Sequence, residues 1–248
     1  MSIKERRKHP KAESDILAAF DTEKHDVKST YTTAQLPEEM IALLPETEYT
    51  HAPLAYLTNR KVHRFDIVRY KIGYCFTGKY AKSLIFPIIY HNKTASFITR
   101  GIGPKGTYRK PDKSDSWFFG YDLALHVNKV VVVEGPFDAM RATPVDVQRD
   151  GYAGVGLMGT NFTQRHVELV QEAGWEQMTF ALDADASRKS LKLVEKLHKY
   201  GVRVSVCIMD KDPSDYSRRD LVEYLQNQTI LYRKDGWEES KILAEFSL

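Results

Sequence analysis

The stretch "KVVVVEGPFDAM", Lys129 to Met140, runs four consecutive valines into a lone glutamate, then a glycine, a proline and an aspartate. An unbroken apolar run of this length reads as a strand covered on both faces, with Glu134 at its carboxyl end. Gly135 and Pro136 then turn the chain into a helix, "PFDAMRA", that carries Asp138 one turn on. The same alternation continues outward. "YAGVGLM" reads as a strand, and "TQRHVELVQEAG" as a helix with Thr160 or Asn161 placed to cap it. "QMTFALD" is a strand, "SRKSLKLVEKLHKYG" a helix closed by Gly201, and "RVSVCIM" a strand. Strands alternating with amphipathic helices predict an α/β unit: a mainly parallel sheet with helices on both faces and its ligands at the carboxyl ends of the strands. From Arg219 a further helix carries an apolar stripe, Leu221, Tyr224 and Leu225, and the tail after Trp237 reads as a docking helix.

Three of the four strand ends carry acids: Glu134 after the first, Asp183 and Asp185 in "ALDADASRKS" after the third, and Asp210 and Asp212 in "IMDKDPSD" after the fourth. Two aspartates at i and i+2 leaving a strand point the same way and can face one cation. Carboxylates held together without a cation repel and take up protons, and a divalent ion relieves both effects. Magnesium, with oxygen ligands and retained waters, suits such a set. Each acid also has a plain structural role open to it. Asp185 can cap the helix near Ser187, Asp212 can serve the turn before Pro213, and Glu134 can end its strand in solvent. "GVGLMG", Gly154 to Gly159, matches a dinucleotide fingerprint, G-x-G-x-x-G, but follows the second strand instead of opening the unit. Its glycines are expected to allow close strand-to-helix packing, with the helix start beyond them available to an anion.

The preceding half of the chain has a different character. The net charge of +3 conceals a segment, residues 51–120, with thirteen Lys/Arg against three Asp and no Glu, so the remainder sums to −7. Thirteen of the twenty-eight aromatic residues lie in the same segment, among them Tyr56, Tyr70, Tyr74, Phe76, Tyr80, Phe97, Tyr108 and Trp117. Cations for phosphates and rings for unstacked bases are what a single-stranded nucleic acid requires; a solvated basic face over an aromatic core is the alternative. Here "PLAYLTNR" reads as a helix, "FDIVRYKIG" as a short helix running into a strand, and "SLIFPIIY" and "ASFITRGI" as strands joined by "HNKT". Gly101 to Ser116 reads as a loop. Residues 1–11 are a basic arm, residues 12–50 carry nine acids against two lysines, and "PEEMIALLP", Pro37 to Pro45, reads as a short helix. No apolar run approaches the ~18 residues of a membrane span, and the basic N-terminus lacks a secretory signal, so a cytoplasmic protein is expected. The two cysteines, Cys75 and Cys207, lie far apart on apolar segments and offer no zinc ribbon.

"VVVEGPFDAM", "GLMGTNFTQRHVELV", "FALDADASRKS" and "DKDPSD", in this order and spacing, resemble the TOPRIM domain shared by primases, topoisomerases and some nucleases. The segment before them resembles the catalytic core of bacterial and phage DnaG-type DNA primases. "YLTNRKVHRFDIVRYKIGY" is similar to that family's Tyr-Leu-x-x-Arg-Gly helix and Ile-Gly-Tyr ending, and "LIFPI" to its Phe-Pro-Ile strand. Arg100 matches the arginine closing the next strand, and "WFFGYDLA" the Leu-Tyr-Gly segment leading into TOPRIM. The resemblance covers residues 53–220. It implies a Rossmann-like TOPRIM domain over 125–225, a smaller basic α+β subdomain over 51–124, an arm and acidic segment over 1–50 and a tail over 226–248. Four features depart from the family: the zinc-ribbon module and a Walker A sequence are missing, Thr107 stands where a lysine precedes the family's tyrosine, and Lys61 stands where a glycine follows the helix arginine.

The resemblance implies Mg²⁺-dependent nucleotidyl transfer: RNA primers made from rNTPs on a single-stranded DNA template, in phage or mobile-element replication. Mn²⁺ is the alternative ion, and no zinc is expected. Asp183, Asp185 and Asp212 would hold the metal, with Glu134 a further ligand or the general base, and Asp138 would support Glu134. Arg60, Arg100, Arg109, Lys110 and Lys113 would hold phosphates, and Tyr108 would stack on a base. A replicative helicase and a separate zinc protein are the partners implied, and no membrane. The rival enzyme is a TOPRIM nuclease, with topoisomerase disfavoured for want of a domain to supply a tyrosine nucleophile. The non-enzymatic rival is a single-strand-binding replisome adaptor.

Overall fold

The structure is a computed structural model, and it describes residues 33–103, 106–111, 116–159, 162–182, 197–233 and 236–237. Asp183, Asp185, Lys113, Thr160, Asn161 and the tail after Trp237 lie outside the described residues, as does most of the helix expected between the third and fourth strands.

Two sheets organise the described chain. The first is antiparallel, in the order β1-β2-β3-β4-β5, from β1 (Met40–Ala42), β2 (Gly73–Cys75), β3 (Ser83–Tyr90), β4 (Lys93–Gly101) and β5 (Tyr108–Arg109). Helices α1 (His51–Asn59) and α2 (Arg64–Arg69) fall between its first two strands. β3 and β4 form the long hairpin expected around the His91–Asn92 turn, both turn residues having positive φ. The short helix expected over Pro37–Pro45 is instead a turn, closed by Met40 N–H donating to the Pro37 carbonyl at 3.0 Å, and then strand β1. Two effects override helix propensity there. Leu44 precedes a proline, which disfavours the helical region, and pairing Met40 with Cys75 packs it on the Cys75–Ile85–Phe97 core.

The second sheet has the order β11-β10-β9-β8-β6-β7. β6 (Lys129–Val133), β7 (Tyr152–Gly156), β8 (Gln177–Leu182) and β9 (Arg203–Ile208) are parallel. The valines of β6 are buried, as their continuity predicts. α3 (Tyr121–Ala124) leads into β6, α4 (Pro136–Ala142) and α5 (Val147–Asp150) join β6 to β7, and α6 (Gln164–Ala173) joins β7 to β8. α7 (Arg218–Gln228) follows β9. The cap of α6 is Thr163, whose amide meets His166 Nδ1 at 3.0 Å, two residues past the nearer of the two candidates read from sequence. The antiparallel strands β10 (Thr229–Arg233) and β11 (Gly236–Trp237) were not anticipated, and neither was β5 inside the expected loop.

The two sheets are joined by main chain and rings. Phe119 and Gly156 exchange both backbone hydrogen bonds, at 2.9 and 3.0 Å, so the segment before α3 adds an antiparallel rung to β7. Phe119 stacks on Tyr70 at 4.9 Å and meets Phe86 edge-on. Tyr70 donates its hydroxyl to Thr143 Oγ1 at 2.8 Å, and burial pushes its pKa up to about 12. Asp66 of α2 accepts from Arg218 of α7 at 2.6 Å. Cys75 and Cys207 are buried thiols outside any disulfide. Among the described residues no helix is long and apolar enough to cross a membrane.

Candidate active site

Parallel strands place their carboxyl ends on one edge, and there Asp138 of the helix after β6 meets Asp212 after β9. Glu134 leaves β6 directly, and Gly135 is the N-cap of α4 with Pro136 as its first helical residue. Asp138, in the first turn, accepts from the Gly135 amide with Oδ2 at 3.2 Å and from the Ser214 amide with Oδ1 at 3.2 Å. After β9, Asp212 caps the 3₁₀ turn Pro213–Asp215 and accepts from the Ser214 amide at 2.9 Å and the Ser214 hydroxyl at 2.7 Å. Ser214 therefore ties the two aspartates into one unit across α4 and β9.

The two carboxyls share a proton. Burial, followed by the bond to Asp212, pushes Asp138 up to about 8, so it stays protonated and donates to Asp212 at neutral pH. Burial also pulls Asp212 upward. Bonds from Asp138 and from the Ser214 hydroxyl and main chain, with the charge of Arg60, outweigh it and hold Asp212 below the ordinary carboxylate range. Asp138 thus braces Asp212 and, through the Gly135 amide, the turn that carries Glu134. Asp210, also at the end of β9, accepts from the Tyr216 hydroxyl.

The basic, aromatic sheet lies over this edge. Arg60, at the C-terminus of α1, rests its guanidinium 5.3 Å above the Phe137 ring of α4 and 5.9 Å from the Tyr56 ring. Arg100 of β4 stacks on Tyr108 of β5 at 4.6 Å, and its Nε approaches the Tyr56 hydroxyl at 3.5 Å. The Tyr108 hydroxyl lies 4.0 Å from where a Gly135 side chain would begin. Lys110 reaches the loop after β7, its Nζ 3.6 Å from the corresponding point on Gly159, and burial lowers its pKa. Arg109 alternates to the opposite side of β5 from Tyr108. It lines a separate cleft of about 210 Å³ with Lys82, Ser83 and Gly103. Arg60, Arg100, Tyr108, Asp138 and Asp212 are thus brought around the Glu134–Gly135 turn, Lys110 to its flank, and Arg109 elsewhere. Sequence reading missed Ser214, Tyr56 and Phe137 as positioning groups. The Asp-Pro-Ser order signals the first, since an aspartate before such a turn bonds backbone two residues on.

The glycines after β7 serve packing. A side chain on Gly154 would collide with the Ala139 carbonyl and sit 2.8 Å from Ala142 Cβ of α4, and one on Gly156 would lie 3.1 Å from the Gly135 carbonyl. They let α4, and so Asp138, lie close against β7.

Among the described residues no three His, Cys, Asp or Glu side chains gather as a ready metal cluster, and β8, between β6 and β9, ends at Leu182 just before Asp183. The donors present are carboxylates, with Asp212 held ionised, and this oxygen chemistry fits magnesium.

Comparison with known proteins agrees with this geometry. Residues 131–217 match the family model described as Toprim-like, so the chain carries a Toprim-like domain. Its fold is that of the DnaG-type primase catalytic core. A DnaG primase catalytic domain bound to ssDNA superposes with a TM-score of 0.63 at 17% identity, over 75% of this chain and 74% of that one. The RNA polymerase domain of Mycobacterium tuberculosis primase DnaG gives 0.60 at 18% identity, over 76% and 79%. The primase fragment of the bacteriophage T7 primase-helicase protein gives 0.52 at 18% identity, over 69% and 72%. No curated protein sequence matches the chain.

Proposed function

We propose that this chain is the catalytic core of a DNA-dependent primase that joins ribonucleotides on a single-stranded DNA template. The reading rests on one observation: the stacked cation–ring pairs Arg60–Phe137 and Arg100–Tyr108 sit directly over the turn that carries Glu134, against Asp138 and Asp212. A groove that grips a strand and a carboxylate edge that acts on phosphoryl groups are thereby one surface. The relative bound to ssDNA and the phage T7 primase fragment support the same reading, at the level of fold.

Glu134, Asp183, Asp185 and Asp212 would hold Mg²⁺, with Mn²⁺ as the alternative. When bound, such an ion supplies Lewis-acid stabilisation to the reacting phosphoryl oxygens. Asp138 and Ser214 keep the Asp212 carboxylate fixed and ionised. Arg60 and Arg100 neutralise strand or triphosphate oxygens, and Tyr108 offers a ring to a base. Glu134 either adds a ligand or takes the proton of the attacking 3′-hydroxyl. A helicase and a separate zinc protein remain the proposed partners, and phage or mobile-element replication the proposed setting.

The test is synthesis of short RNA from rNTPs on single-stranded DNA, with and without Mg²⁺, by the wild type and by Asp183→Asn and Asp212→Asn. Metal-dependent dinucleotides that both substitutions abolish are expected. Cleavage of labelled DNA without rNTPs would assign the edge to a nuclease, and strand binding with no chemistry would assign the protein to the adaptor class.

A further inference from the structure

The margin of the antiparallel sheet opposite β5 has a different chemistry. β1 is an edge strand, and among the described residues nothing pairs with its outer side. Its register, Ile41 opposite Tyr74 and Met40 opposite Cys75, sends Met40 into the core and Ile41 to the other face. On that face three large apolar side chains remain exposed: Tyr49 at 57%, Phe76 at 56% and Ile41 at 36%. They are continuous, since Phe76 meets Tyr49 edge-on at 6.1 Å and Tyr74 at 6.4 Å. An open strand edge beside exposed rings is an association surface, and natural sheets otherwise blunt such edges.

The surrounding charge selects the occupant. Residues 33–50 contain Glu38, Glu39, Glu46 and Glu48 and no lysine, arginine or histidine. Glu46 is paired with Arg64 at 2.7 Å and His51 at 3.2 Å, and Glu39 lies over Gly78. Lys79 is turned onto the Tyr80 ring at 5.4 Å. An acidic rim repels phosphate, so these rings are not a continuation of the strand-binding groove, whose rings are stacked with arginine.

We propose that the β1 edge and the Ile41–Tyr49–Phe76 face dock an extended, lysine- or arginine-rich segment of a partner protein, added to the sheet as a further strand. Main-chain bonds to Met40–Ala42 would supply register, apolar side chains of the segment would cover Phe76 and Ile41, and its cations would face the glutamates. The proposal is independent of the reaction at the carboxylate edge, because none of these residues touches it.

The test uses the full chain and a labelled synthetic peptide in which valine alternates with lysine, against a control in which valine alternates with glutamate. The lysine peptide is expected to bind saturably, to slow amide exchange at Met40–Ala42, and to bind about tenfold more weakly to Phe76→Ser or Ile41→Asp. Glu38→Lys with Glu48→Lys, which leaves the apolar face intact, should weaken it similarly and more at low salt. Equal binding of the glutamate peptide, or indifference to both sets of substitutions, overturns the proposal. Competition by oligo-dT that the same substitutions relieve would make the surface a nucleic-acid track and overturn it too. Tighter peptide binding by Arg6→Glu with Arg7→Glu would assign the face to the chain's own basic arm and would likewise overturn the partner segment.

Discussion

Asp66 and Arg218, 152 residues apart, meet at 2.6 Å with the carboxylate only 1% exposed, so helix α2 of one sheet is locked to helix α7 of the other by a buried ion pair. Arg218 also donates to the Thr143 carbonyl at 3.0 Å and the Met140 carbonyl at 3.1 Å and lies 4.9 Å over Phe65. Arg218→Ala strands a buried carboxylate and should lower the free energy of unfolding by about 3–5 kcal/mol. Urea denaturation checks it. The double change Asp66→Leu with Arg218→Met should recover a large part of that loss.

Ser214 carries the support of Asp212 on one hydroxyl. Ser214→Ala keeps the amide bonds to Asp138 and Asp212 and removes the 2.7 Å contact. Loss of an outer partner of a metal-ligand carboxylate costs about 10–100-fold in affinity or activity. If Asp212 holds the metal as proposed, the Mg²⁺ concentration for half-maximal RNA synthesis should rise by that order, while the variant still unfolds in one cooperative transition.

Tyr108 and Arg109 are neighbours in sequence on opposite faces of β5. Tyr108→Ala should weaken single-stranded DNA binding by about 1–3 kcal/mol, the range for a stacked base. Arg109→Ala should change it far less. Fluorescence anisotropy with oligo-dT at fixed salt separates them, and comparable losses would place Arg109 in the groove after all.

His166 is 1% exposed, ringed by Phe118 at 4.6 Å and Phe162 at 5.0 Å. Burial, with the nearby Lys110 and Arg165 charges, lowers its pKa from 6.5 to about 4. The folded state therefore binds the proton more weakly than the unfolded chain. Stability from neutral His166 is complete above pH about 6.5 and is lost as pH falls toward about 4, by roughly 3 kcal/mol. His166→Gln should flatten the stability profile across that window, as read from urea midpoints.

Lys61 sits at φ +57°, just past the Arg60 cap of α1, in the left-handed region that suits glycine. Lys61→Gly should raise stability by up to about 1 kcal/mol, less the contact of Lys61 Nζ with the Asp215 carbonyl at 3.3 Å.

The parallel sheet was legible because its signals are local: four valines, a Gly-Pro turn, and glycines or prolines that bound each element. The acids of β6 and β9 were legible for the same reason, since a strand's end fixes where its next side chain emerges. What escaped depends on partners distant in sequence. Met40–Ala42 looks helical until β2 lies beside it, and β10 looks like a continuing helix until β9 is available to pair. Nothing near Asp138 in sequence tells that its carboxyl will face Asp212, a contact closed only when β9 returns beside α4.

The bridge between Phe119 and Gly156 also acts at a distance. The residues that follow it donate inward, Leu157 to the Val133 carbonyl at 2.8 Å and Met158 to the Glu134 carbonyl at 2.9 Å. A line of main-chain bonds therefore runs from Phe119, whose ring packs on Tyr70 and Phe86, to the backbone of Glu134. Backbone bonds keep their lengths whatever residues drift around them. The spacing between Phe119 and the Glu134 turn is thus set by backbone bonds that most side-chain substitutions leave in place.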